Sequence, residues 1–84
     1  MDITRDQERV LKNIFTLSAG KTAIPVTIGA IHGSFSDMDV RDLVGHLDTL
    51  LTNGLIENAR PAKERISTML KITPEGIRHC TRDP

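Results

Sequence analysis

The sequence predicts an α+β fold, and three observations carry that prediction. Val40, Leu43, Val44, Leu47, Leu50 and Leu51 recur every three or four positions, the period of a helix buried along one stripe. Beyond Asn53-Gly54 the period changes to two, because Ile66, Thr68, Leu70 and Ile72 alternate with Ser67, Met69 and Lys71 as in a half-buried strand. Arg60-Pro61-Ala62-Lys63-Glu64 is a turn too polar to bury, so Leu55 to Arg60 and the alternating segment form a hairpin.

The remaining elements follow in chain order. Thr4 with Gln7 three residues later reads as a capping box, and Val10, Leu11, Ile14, Phe15 and Leu17 give a first helix its buried stripe, ended by Gly20. Thr22 to Val26 is at most a short edge strand, since Pro25 has no N–H to donate to a ladder. Thr27 is placed to cap a short second helix containing Ile28, Ala30 and Ile31 and broken at Gly33, with Phe35 in the turn that follows. Ser36 or Asp37 offers the side-chain oxygen that caps the third helix, and Asp39 favours its positive end. Gly54 then supplies the left-handed residue that closes this helix before Leu55 and Ile56 start a strand. Thr73-Pro74-Glu75 has the cap, first-turn proline and acid of a last helix, with Ile77 as its main apolar contact.

Eighty-four residues, 38% apolar and 26% charged, predict one domain over residues 1–84 with a single modest core. A domain this small buries only about 60% of its unfolded surface, so a homodimer is expected, with Ile77 and Val10 or Leu11 pairing across a two-fold axis. No apolar run approaches the length of a membrane span and the start has no signal-peptide pattern, which predicts a cytoplasmic protein without a membrane partner. Cys80 is the only cysteine and excludes an internal disulfide.

Net charge is zero, so no global field draws the chain to a polyanion. Its distribution is uneven. From Asp37 to Glu57 one base, Arg41, stands against five acids, a net of −4, whereas from Asn58 to Arg82 six bases stand against two acids, a net of +4.

Two segments carry a family likeness. Leu50-Leu51-Thr52-Asn53-Gly54-Leu55-Ile56-Glu57 is similar to the end of a recognition helix, and Leu70-Lys71-Ile72-Thr73-Pro74-Glu75-Gly76 is similar to a last wing strand entering a final helix. With the order of elements, these make the chain resemble the winged helix-turn-helix superfamily of small prokaryotic transcriptional regulators. The resemblance implies a three-helix core, a two-stranded wing with the short edge strand beside it, and a C-terminal helix. It also implies a third helix in the major groove of DNA and a wing on the backbone or minor groove. The expected DNA-binding residues are Arg41, His46 and Thr49 on the third helix and Arg60, Lys63 and Arg65 on the wing. The third helix departs from a typical reader of DNA, because its outward face also carries Asp39, Asp42 and Asp48, and carboxylates repel phosphates.

Other chemistry finds little footing. Gly20-Lys21-Thr22 looks like the end of a phosphate loop, but position 15, where that loop needs glycine, is Phe15. His32, His46, His79 and Cys80 stand at no metal-ligand pair spacing, so neither a metal nor a cofactor is expected. Cys80 has only His79 beside it in sequence, and helix neighbours point apart. Met38 and Met69 suit core or rim packing. Phe15 and Phe35 are the only aromatic residues and both suit the core, which argues against stacking on single strands. No nucleophile, base and oxyanion donors come together, so the expectation is not an enzyme. Binding of double-stranded DNA is the first expectation, and docking of the acidic third helix on a basic protein partner is the second.

Overall fold

The computed structural model describes residues 3–60 and 66–82, and within them four helices and a three-stranded antiparallel sheet follow from the local signals. Helix α1 spans Arg5–Leu17, β1 Val26–Thr27, α2 Ile28–Gly33, α3 Val40–Thr52, β2 Ile56–Asn58, β3 Met69–Ile72 and α4 Pro74–Thr81. The sheet order is β1-β3-β2, so the last strand lies in the middle. Ile56 faces Ile72 and Asn58 faces Leu70 across one ladder, and Val26 faces Leu70 across the other.

Each helix begins where a side-chain oxygen meets a free amide. Thr4 accepts from the Gln7 amide at 3.2 Å while Gln7 Oε1 accepts from the Thr4 amide at 2.9 Å, so the expected capping box is complete. Thr27 accepts from the Ala30 amide at 3.1 Å, and Thr73 from the Gly76 amide at 3.1 Å with Pro74 in the first turn. For α3 the expectation of Ser36 or Asp37 is corrected: Asp39 is the cap, accepting from the Arg41 amide at 3.4 Å. Met38 is buried and its carbonyl accepts from His32 Nε2 at 3.0 Å, so residues 36–38 belong to the turn from α2. Asp37 instead faces Arg9 at 3.6 Å.

Helix ends show a second correction. The C-terminus of α3 closes as expected, with Gly54 at φ +74° and the Leu55 amide donating to the Leu50 carbonyl at 3.0 Å. At α1 the same closure is made by Ala19, at φ +54°, while the Gly20 amide donates to the Phe15 carbonyl at 2.9 Å. An alanine therefore holds the left-handed position that favours glycine.

The core joins Val10, Leu11 and Ile14 of α1, Ile31 of α2, Leu43, Leu47 and Leu50 of α3, and Val26, Ile56, Leu70 and Ile72 of the sheet. Two stripe residues lie outside it. Ser18, four residues after Ile14, takes the buried slot at the end of α1 and leaves Leu17 41% exposed, while Val40, at the first position of α3, is 47% exposed. Val10 and Leu11 are fully buried, so neither is available to meet a second copy. The edge strand expected over Thr22 to Val26 is shifted to Val26–Thr27, beyond Pro25. The hairpin strands are shorter than the alternation suggested, because Ser67 is buried beside β3 and caps it: its hydroxyl accepts from the Met69 amide at 3.2 Å.

Helix α4 is held by contact as well as by its cap. Gly76 is buried so tightly that a Cβ there would stand 2.1 Å from the Leu55 carbonyl oxygen. The Thr73 hydroxyl donates to the Gly54 carbonyl at 2.6 Å, and the Thr73 amide donates to the Leu55 carbonyl at 3.2 Å. One buried threonine thus fastens the end of α3 to the start of α4.

Candidate nucleic-acid interface

Burial of Leu43, Leu47 and Leu50 fixes which side of α3 faces out. Arg41, Asp42 and Gly45 are exposed, and His46, Asp48 and Thr49 are half-buried along the flanks. The closing turn at Gly54 passes the chain directly from α3 into β2. Beyond β2 the hairpin base is pinned, with the Ser67 amide donating to Asn58 Oδ1 at 2.9 Å and the Ala59 amide to the Met69 carbonyl at 2.8 Å. Arg60 is exposed just beyond that base, whereas Lys63 and Arg65 lie outside the described residues.

The side chains of α3 differ in how far they are committed. Asp39 serves the helix terminus, and the Thr49 hydroxyl donates back to the Gly45 carbonyl at 3.2 Å, as helical threonines do. Arg41 and Asp42 are exposed and make no side-chain hydrogen bond or ion pair among the described residues. Most other cations are neutralised within the fold. Arg9 lies 3.0 Å from Asp6 and 5.2 Å from the centre of the Phe35 ring, Lys12 lies 3.4 Å from Glu8, Lys71 lies 4.0 Å from Glu57, and Arg78 pairs with Glu75. Arg5, Lys21, Arg41, Arg60 and Arg82 are the described cations left without a carboxylate partner. The sequence had singled out two of these, Arg41 and Arg60. Which cations were already paired could not be read from it, since Arg9–Asp37 joins segments far apart in the chain.

Two further places hold polar groups. A shallow open cleft of about 370 Å³ is lined by Arg9, Lys12, Asn13, Thr16 and Phe35, and both of its cations are paired with carboxylates. Burial against α1 pushes the Cys80 thiol up from its ordinary range, and Glu8 acts in the same direction, against a smaller lowering by Lys12 than the burial effect. A protonated thiol is a poor nucleophile. Among the described residues no group of three His, Cys, Asp or Glu side chains converges, and no helix is long and apolar enough to cross a membrane.

The chain matches no protein-family model, no curated protein and no solved structure.

Proposed function

We propose that this chain is a winged-helix domain of the small transcriptional-regulator type that binds double-stranded DNA in the cytoplasm. The observation that carries the reading is the passage from α2 through a tight turn into α3, and from α3 at Gly54 into a pinned antiparallel hairpin. That arrangement offers a helix with an open outward face followed at once by a projecting loop, which suits a major groove and its flanking phosphates. Arg41 lies on the helix and Arg60 leads into the loop, and both lack partners among the described residues. His46 and Thr49 flank the contact, and Lys63 and Arg65 add charge to the loop sequence.

Asp39 and Asp42 oppose this field. Binding to arbitrary duplex is therefore weak, and exchanging both for Asn strengthens it, because repulsion falls while an Asn at position 39 still caps the helix. Fluorescence anisotropy with a labelled duplex at low salt tests the reading. Failure of both the wild type and the double Asn variant to bind would end it.

One observation favours a second reading. Val40 is 47% exposed between the carboxylates of Asp39 and Asp42, an apolar contact ringed by acids that suits a basic protein partner. This protein-interaction module becomes the first choice if duplex binding fails.

A further inference from the structure

Resting on the DNA-binding reading above, we propose that α3 selects a G·C base pair, with Arg41 donating to guanine and Asp42 accepting from the amino group of cytosine. The assignment comes from elimination along the outward face. Asp39 is committed to the helix terminus and Thr49 to the Gly45 carbonyl, while His46 and Asp48 are half-buried. Arg41 and Asp42 remain as adjacent exposed groups without partners among the described residues, one purely a donor and the other, ionised, purely an acceptor.

The major-groove edges decide what such a pair can read. Guanine presents two adjacent acceptors, N7 and O6, that match the guanidinium fork, whereas adenine places an amino donor beside N7 and thymine offers a single O4. A carboxylate is repelled by N7, O6 and O4 alike. It is accepted only over an amino group, on cytosine or adenine. G·C is the one pair that supplies both partners at once. The acids that weaken general attraction to DNA then become the source of discrimination, since a base pair without a correctly placed amino group leaves Asp42 facing an acceptor.

Gly45 supports the approach. It is exposed, one turn beyond Arg41, and a Cβ there would meet nothing within 4 Å, so no packing within the fold calls for glycine. Glycine weakens a helix interior relative to alanine. Its bare backbone lowers the profile of α3 next to the two reading side chains.

The test is selection from a random-sequence duplex library with the wild-type protein, followed by affinities for the selected duplex and its variants. An essential G·C pair is expected to emerge. Replacing it by A·T should weaken wild-type binding roughly 5- to 150-fold, the range for a good bidentate contact. Replacing it by inosine·C should leave affinity unchanged, because inosine keeps N7 and O6 and loses only the minor-groove amino group. Arg41→Ala should abolish the distinction between G·C and A·T, and Asp42→Asn should strengthen binding to arbitrary duplex while admitting adenine in place of cytosine. A selected site in which every G·C pair tolerates A·T, or a distinction that survives Arg41→Ala, would overturn the assignment. Duplex binding with no sequence enriched would also overturn it and leave the DNA-binding reading standing, whereas absence of any duplex binding would remove both.

Discussion

Gly76→Ala separates two opposed physical expectations. In an ordinary helix interior this exchange stabilises by about 1 kcal/mol, because glycine loses more backbone freedom on folding. Here the new methyl would stand 2.1 Å from the Leu55 carbonyl oxygen and 2.8 Å from Ile72 Cγ1. The nearer atom belongs to the backbone, so no rotamer change relieves the overlap. Either α4 or the Leu55 peptide must retreat by roughly 1 Å to reach normal contact, and forced overpacking of this kind costs about 1–3 kcal/mol. The Leu55 carbonyl also accepts from the Thr73 amide, and weakening that bond adds about 1 kcal/mol. Set against the helix gain, the net is a loss of about 2 kcal/mol, or a fall of roughly 10 °C in Tm for a domain of this size. Thermal and urea unfolding followed by circular dichroism measure it. Gly54→Ala is the control: a Cβ there meets nothing within 4 Å at φ +74°, so only left-handed backbone strain of about 1 kcal/mol acts. A Gly76→Ala variant as stable as the wild type would refute the close approach of α4 to Leu55.

Other expectations follow from single observations. Ala19→Gly should stabilise the fold by about 0.5–1 kcal/mol, since Ala19 sits at φ +54°, and a lower denaturation midpoint would contradict the helix closure described. Thr73→Val should cost about 2 kcal/mol by leaving the Gly54 carbonyl and the Gly76 amide without their partner, and Thr73→Ser should recover most of it in the same unfolding assay. Because burial raises the Cys80 pKa, the folded state holds the thiol proton more tightly than the unfolded chain does. Its stabilising contribution is therefore present below about pH 9.0 and is lost as pH rises further, a loss that Cys80→Ala should remove from the stability–pH curve. Self-association should be visible by sedimentation at high micromolar concentration, and a single 9.3 kDa species would exclude it.

Short-range chemistry was legible in the sequence. Thr4, Thr27 and Thr73 cap the helices they precede, and Gly54 turns where the stripe of α3 stops, because such contacts reach only a few residues along the chain. Reading failed where a distant segment competes. Asp37 is a good cap by residue type, yet Met38 is drawn into the core and moves the start of α3 to Asp39. The need for glycine at position 76 depends on a carbonyl at position 55, and the charge state of the surface depends on pairs such as Arg9–Asp37. Of the candidate site, residue types were visible and commitments were not. Thr49 looked like a contact until its hydroxyl proved to turn back onto Gly45.

The most direct measurement of DNA binding is the salt dependence of affinity for an arbitrary duplex, compared between the wild type and a variant with Arg60, Lys63 and Arg65 all replaced by Ala. Each neutralised phosphate releases condensed counterions, so loss of three contacts should flatten the slope of log affinity against log salt by roughly 2.7. That flattening, with affinity nearly abolished in the variant, is the predicted result. Equal slopes for the two proteins would contradict the role given to the wing, and a wild type that binds no duplex even at low salt would contradict the DNA-binding account itself.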